Sequence, residues 1–164
     1  MSQYVFKQPT IHDAKDMYHL ACETTQLDRY PEYFYLLWCR DFQETSLIAK
    51  KDGDLIGFVI GYIRPDFPST LLIWQQATQK SVINRGLGVR LLNDLICRCK
   101  DRGVDFVEAT IDPCNYTAER TLLGISKMHR TSMEKAVIFE QKHFSVEHHA
   151  EMLVKVGPLP AVET

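Results

Sequence analysis

Between residues 45 and 78 the chain carries three runs rich in aliphatic, β-branched and aromatic residues, TSLIAKK, LIGFVIGYIR and TLLIWQQAT, with only turn signals between them. Asp52-Gly53-Asp54 separates the first two, and Asp-Gly tolerates the positive φ angles of a tight hairpin turn, so these runs are expected to pair antiparallel. The turn-like PDFPS separates the second from the third. Shortly after the third run comes INRGLGVRLL, where Gly86 and Gly88 precede an apolar pattern at helical spacing through Leu92, Leu95, Ile96 and Cys99. A chain written this way builds a sheet whose third run leads through a glycine turn into a helix.

The remaining segments fit around that unit. Tyr4 to Lys7 alternates like a short strand, and Thr10 with Asp13 forms a variant capping box for a helix over 11–25 whose face is Ile11, Ala14, Met17 and Ala21. A polar joint, QLDRY, leads to Pro31 at the first helical position of PEYFYLLWCRDF, a largely buried helix. Gly103 stops the helix after the glycine pair, VDFVEATI reads as a strand, and Asn115 opens a helix to about Arg130. EKAVIFE and AEMLVKV are two closing strands, and the tail GPLPAVET is expected to be disordered. The fold class is α/β, one domain over 1–157 with a flexible tail over 158–164.

A length of 164 residues suits one domain with a real core, and a formal net charge of −2 supplies no field for gripping a phosphate polymer, so nucleic acid is not an expected partner. The N-terminus has no secretory apolar region and no run approaches the roughly 18 apolar residues of a membrane helix, so the expectation is a cytoplasmic protein without a membrane partner. The five cysteines are odd in number and lack metal-type spacing, and Cys97 and Cys99 fall on different sides of a helix. They read as reduced thiols.

Helix N-termini carry unpaired amides and a positive dipole end, so a strand, a glycine turn and a helix can seat a pyrophosphate, although turn chemistry alone also accounts for such a glycine pair. A dinucleotide fingerprint fits poorly, because no early βαβ unit holds the motif and no third glycine follows at Arg90 or Leu91. The stretch TLLIWQQATQKSVINRGLGVRLLNDLI resembles motif A of the GCN5-related N-acetyltransferases (GNAT), whose pattern is Arg/Gln-x-x-Gly-x-Gly/Ala. That resemblance implies acetyl-coenzyme A as cosubstrate and a single-domain, mixed and mostly antiparallel sheet whose central strands splay into the coenzyme cleft. Ile83 takes the usual Arg/Gln position and Asn84 replaces a common glycine, while Gly86 and Gly88 keep the last two. Backbone amides tolerate such changes, so Asn84, Arg85, Gly86, Leu87 and Gly88 remain the expected coenzyme contacts. Arg85 or Arg90 could replace the lost charged anchor, or both could be solvated surface residues.

Over nearly its full length the chain is similar to the L-2,4-diaminobutyrate acetyltransferases of ectoine biosynthesis, on LDRYPEYFYLLWC, LIGFVIGYIRPDFPSTLLIWQ, VDFVEATIDPCN and HHAEMLVKVGP. In the first stretch that family usually reads Leu-Asp-x-Asn-Ser-x-Tyr-x-Tyr-Leu-Leu-x-Cys. This chain keeps Asp28, Tyr33, Tyr35 and Cys39 but has Tyr30-Pro31 where Asn-Ser is expected. The resemblance implies acetylation of the γ-amine of L-2,4-diaminobutyrate, giving the precursor of ectoine, a solute made against osmotic stress, by a homodimer. Tyr30-Pro31 leaves open another small diamine or amino acid, and Ile83 with Asn84 leaves open a coenzyme-binding module without catalysis.

An amine with a pKa near about 10.4 is mostly protonated at neutral pH, so an acetyltransferase must remove a proton, and a partly buried carboxylate can take it. The resemblance points to Glu108 as first candidate base, near the end of the strand bordering the cleft; an outward-facing strand glutamate is the alternative. It implies Glu151 as a second carboxylate at the reaction, holding the two substrate amines with Asp28. Tyr33, Trp74 and His148 complete the implied substrate side, with Trp74 either a wall for the substrate's methylenes or a core tryptophan. Gln76, Ala77 and Thr78 should offer backbone groups to the pantetheine arm, one amide lying near the developing oxyanion. Asn115 contacts the coenzyme or simply caps a helix. Where many relatives place a tyrosine that protonates the leaving thiolate, Leu122 and Leu123 stand, so no general acid is named. His148 and His149 do not make a metal site on spacing alone, so no metal is expected. Cys39 in an apolar helix is a poor nucleophile, and no Gly-x-Ser-x-Gly elbow is present.

Overall fold

The computed structural model describes residues 4–82 and 86–161. Seven strands form one sheet: β1 (Val5–Lys7), β2 (Ser46–Lys51), β3 (Asp54–Arg64), β4 (Phe67–Thr78), β5 (Phe106–Ile111), β6 (Met133–Phe139) and β7 (Glu151–Val156), in the order β1-β2-β3-β4-β5-β7-β6. All neighbours are antiparallel except β4 and β5. Helices α1 (Ala14–Glu23) and α2 (Glu32–Asp41) cover one face, where Ala14, Met17, Tyr35 and Trp38 pack on Ile48, Phe58 and Ile60. On the other face α3 (Leu87–Lys100) and α4 (Tyr116–Met128) bury Leu91, Leu95, Leu122 and Ile125 against Val59, Leu71 and Val107.

The expected mixed sheet between helices is therefore present, and its local causes are visible. Asp52 and Gly53 take φ 53° and 93°, the left-handed pair that lets β2 and β3 turn in two residues. The Thr10–Asp13 capping box forms, with the Asp13 carboxylate accepting from the Thr10 amide at 2.8 Å. It opens a 3-10 turn over Ile11–Asp13 that runs on into α1. That tighter turn rotates Ile11 off the apolar stripe, and Ile11 is 53% exposed, not part of the buried face. Pro31 is the N-cap of α2 rather than its first helical residue, since its ψ of 157° is extended. At the other end of the chain Leu159 is buried and its amide donates to the Asp105 carbonyl at 2.7 Å, so the ordered chain runs past 157 instead of ending there.

One irregularity positions the site. Ile60 pairs with Gln75 but Gly61 pairs with Ile73, which leaves Trp74 as an extra residue, a bulge in β4. A Cβ on Gly61 would lie 2.5 Å from the Leu72 carbonyl oxygen, so only glycine lets β3 approach the strand beside the bulge. On its other edge β4 pairs with β5 only over Thr70–Ile73 against Phe106–Ala109. Beyond Ile73 the bulged strand bends away, and Trp74 to Thr78 border an opening where β4 and β5 diverge.

Candidate active site

On the α3 side of that opening, backbone does most of the construction. Gly86 caps α3 with φ 73°, and an added Cβ would meet nothing within 4 Å. The left-handed backbone, not crowding, requires glycine there. At Gly88 the reason is proximity: a Cβ would lie 3.1 Å from the Gln76 side-chain amide, which donates to the Gly88 carbonyl at 2.7 Å. Gln76 thus fastens the end of β4 to the first turn of α3, whose leading amides lack intrahelical acceptors and face an anion favourably. Leu87 buries its side chain, leaving only its backbone for a ligand. At the end of β4, on the α1 face, Thr78 and Lys80 line a depression of about 360 Å³ with Leu20, Glu23 and Thr24 from the end of α1. Ala77 turns its side chain into the α1/α2 core, so it too offers the cleft backbone alone. Asn84 and Arg85, with Ile83, lie outside the described residues. Arg90 is turned toward β1, its guanidinium over the rings of Tyr4 and Phe6 at 5.5 and 5.8 Å, and is not a phosphate anchor. Asn115 caps α4, accepting from the Ala118 amide at 3.2 Å.

On the α2 side the opening is lined by side chains brought from four segments. Trp74 is 45% exposed and therefore not a core residue; it stands among the rings of Trp38, Tyr30 and Tyr62 at 5.9, 6.4 and 6.5 Å. Tyr30 stacks on Phe34 at 4.3 Å, and burial, then the nearby Asp28 carboxylate, raise its phenol pKa against the effect of Trp74 beside it. The buried Tyr35 hydroxyl donates to Gln75 Oε1 at 2.7 Å, and Gln75 Nε2 donates to the Asp28 carbonyl at 3.1 Å. This relay hangs the Asp28 loop on the strand just past the bulge. Tyr33 is 66% exposed on the outer side of α2 and is not brought to the aromatic group; the helical period that turns Tyr35 inward turns Tyr33 out.

The carboxylates divide into two environments. Glu151 opens β7 with a half-buried side chain; burial raises its pKa, the charges of Asp112 and Asp28 raise it further, and His148 works against them. His148 lies 3.8 Å from the Glu151 carboxylate and stacks on Phe144 at 3.9 Å. Glu108 instead sits in the joined part of the sheet, opposite Leu72, at the third position of β5 rather than near its end. It is 4% exposed, and Arg64, reaching across β4, binds its carboxylate at 3.1 Å. Such a carboxylate has a partner already. In α4 Leu122 is buried and Leu123 is 37% exposed, so neither offers a proton at the opening.

Among known proteins, a profile of the acetyltransferase (GNAT) family matches residues 12–124. This chain belongs to that family. Within the GNAT family it is 38% identical over 155 residues to an L-2,4-diaminobutyric acid acetyltransferase from Streptomyces avermitilis, covering 93% of this chain and 87% of that protein. The protein of that name from Virgibacillus pantothenticus is 34% identical over 152 residues, with 92% and 96% covered. The structure of diaminobutyrate acetyltransferase EctA from Paenibacillus lautus, in complex with L-2,4-diaminobutyric acid and coenzyme A, superposes with a TM-score of 0.91 over 100% of both chains at 28% identity. The ribosomal-protein-S18-alanine N-acetyltransferase of Escherichia coli shares the fold, with a TM-score of 0.74 at 14% identity. The bulged β4, the splayed β4–β5 pair and the glycine-capped α3 are thus this chain's version of a GNAT cleft.

Sequence reasoning did not single out Gln75 or Tyr35 as builders of the opening, nor Arg64 as the partner of Glu108. One signal was present: the polar pair Gln75-Gln76 interrupts a run that is uniformly apolar from Leu71 to Trp74. Nothing local marks Arg64, because its partner is 44 residues away.

Proposed function

We propose that this GNAT enzyme acetylates the γ-amine of L-2,4-diaminobutyrate, yielding the N-γ-acetyl precursor of ectoine and so contributing to the response to osmotic stress. The observation that carries the reading is Glu151: a carboxylate of raised pKa beside a second and a third carboxylate, at the mouth where the backbone edge of β4 opens beside an aromatic wall. A diamine brings two positive charges to be matched and a short methylene chain to be covered. Asp28 and Glu151 match the charges, and Trp74 with Tyr30 covers the methylenes.

The chemistry follows from those parts. Glu151 accepts a proton from the γ-ammonium, freeing the nitrogen lone pair to attack the thioester carbonyl carbon. A backbone amide of the Gln76–Thr78 edge stabilises the oxyanion, the carbon–sulfur bond breaks, and the coenzyme leaves as thiolate and takes its proton from solvent. First-turn amides of α3, capped by Gly86, hold the pyrophosphate in place. His148 beside Glu151 positions that carboxylate, and Asn115 stays a helix cap.

Two coarser properties extend the reading. β6 is one of the two edge strands, and its consecutive Val137, Ile138 and Phe139 are 53%, 37% and 46% exposed, a surface suited to a second copy of the chain in a homodimer. Among the described residues no helix is long and apolar enough to cross a membrane, and all five cysteines are free. Both facts fit a reaction in the cytoplasm, where acetyl-coenzyme A and reduced thiols are found.

The test is thiol release from acetyl-coenzyme A with L-2,4-diaminobutyrate, run beside ornithine, lysine and a short polyamine. Release with diaminobutyrate well above the others supports the reading. Turnover of another amine in its place would assign Tyr30-Pro31 a changed specificity, and coenzyme binding with silence on all four would leave a binding module.

A further inference from the structure

One cluster of metal-ligating side chains contributes no group that touches substrate or coenzyme in the reaction just described. Asp112 follows β5, Cys114 stands two residues on at the approach to α4, and His149 arrives from the segment before β7. One ligand atom from each lies within 4.8 Å of the other two. The cluster is already ordered: the Cys114 amide donates to Asp112 Oδ1 at 2.7 Å, which leaves Oδ2 turned to His149 Nδ1 at 2.9 Å. Cys114 is exposed and its thiol is free.

We propose that Asp112, Cys114 and His149 bind one borderline-soft divalent cation of the Zn²⁺ type, and that the bound cation slows acetyl transfer. A mixed oxygen, sulfur and nitrogen set suits such an ion better than Mg²⁺ or Ca²⁺, which take oxygen ligands. Bonds of about 2.0–2.3 Å in a tetrahedron set ligand atoms roughly 3.3–3.8 Å apart, so the widest separation must close by about 1 Å while the Asp112–His149 pair at 2.9 Å opens. Exposed Cys114 and His149 can do that by small side-chain rotations, while the Cys114 amide keeps Asp112 in place, as outer hydrogen bonds do in metal sites. Binding displaces the proton shared between His149 and Asp112 and the thiol proton of Cys114, and a water completes the fourth position.

The inhibitory effect follows from register. Ile111 pairs with Met152, so the next residues along, Asp112 and Glu151, face one another across β5 and β7. A dication on Asp112 puts positive charge where Asp112 and Glu151 face one another, and so repels a cationic amine from the mouth it must enter. The inhibitory part rests on the proposed acetylation of a diamine; the binding part does not.

The binding test uses Co²⁺ as a spectroscopic probe on the full chain. One equivalent should produce thiolate-to-cobalt charge-transfer absorption, displaced by Zn²⁺. Cys114→Ser should abolish that band, and His149→Ala should weaken binding by at least about tenfold, the low end of what even an outer-sphere partner contributes. Absence of the band in the unaltered protein, or its persistence in Cys114→Ser, overturns the site. Mass-spectrometric detection of acetylated product, at turnover low enough that released coenzyme thiol cannot chelate the metal, reads the second part. Zn²⁺ should inhibit the unaltered enzyme at concentrations at least about tenfold below those needed for Cys114→Ser. Equal inhibition of both would overturn the regulatory role. An enzyme inactive on every amine would sink the proposed reaction and its inhibition together, yet the cobalt spectrum would still decide the site.

Discussion

Where β4 leaves β5, two surfaces of different construction face each other. On the α3 side the parts are a left-handed glycine, a close-approach glycine and the first amides of a helix, all within a few residues of one another. On the α2 side the parts are the side chains of Asp28, Tyr30, Trp74, Gln75 and Glu151, gathered from the α1–α2 loop, the bulge and the start of β7. A backbone surface survives side-chain replacement and recognises what every use of the fold shares. A side-chain surface changes with single substitutions and can follow the substrate. Of the departures from the family pattern, Tyr30-Pro31 falls in the side-chain surface, where a single replacement carries the greater consequence for function.

The largest expected effect tests the amine half. Glu151→Gln cannot accept a proton, and its kcat should fall by about 10²–10⁴-fold, the usual range for a lost acid–base group, with little change in acetyl-coenzyme A affinity. The pH profile adds an independent check. Burial raises the Glu151 pKa, so kcat/KM should fall on an acidic limb lying above the ordinary 4.5 as Glu151 takes up its proton. Replacing Asp112 by Asn removes a neighbouring charge that raises that pKa, and the limb should move to lower pH. A limb unmoved by Asp112→Asn and present in Glu151→Gln would assign the base elsewhere.

Glu108→Gln separates the two carboxylates. Here the loss is of an ion pair with Arg64 inside the joined sheet, so the expected effect is on stability, about 1–3 kcal/mol, read as a lower midpoint in urea. Its kcat should drop by less than about tenfold, well short of the range for a lost base. A loss as deep as that of Glu151→Gln, in a protein of unchanged stability, would return the base to Glu108.

The unequal legibility of the two halves has the same physical origin. The Asp52-Gly53 turn, the Thr10–Asp13 cap, Gly86 and the Asn115 cap are local: each rule spans four residues or fewer, and each could be read from the sequence. Ile11 and Pro31 were misplaced by a single turn type or dihedral angle, the scale at which helix ends are always least determined. Tyr33 and Tyr35 are two residues apart and take opposite roles, because a helix turns them about 200° from one another, and only the packing decides which of the two faces inward. The fate of Glu108 depended on Arg64 from another strand, and the raised pKa of Glu151 on its burial by the fold and then on charges from two other segments. Family resemblance named several of these residues; it could not say which carboxylate was already paired.

Two smaller effects sharpen the contrast. Tyr35→Phe leaves Gln75 Oε1 buried without its donor, a cost of about 1–3 kcal/mol, and loosens the loop that Gln75 holds through the Asp28 carbonyl. The KM for the amine should rise while that for acetyl-coenzyme A stays put. The opposite pattern is expected from Gly88→Ala. Its Cβ would lie 3.1 Å from the Gln76 side-chain amide, which must shift a few tenths of an ångström and lengthen its bond to the Gly88 carbonyl. That neutral bond is worth about 0.5–1.5 kcal/mol, so the KM for acetyl-coenzyme A should rise roughly two- to tenfold, with kcat and the amine KM unchanged. Gln76→Ala on its own removes the same bond without adding a Cβ and should reproduce the change. If Gly88→Ala altered the amine KM instead, the two surfaces would be mechanically coupled through β4, and the separation of backbone-built from side-chain-built halves would fail.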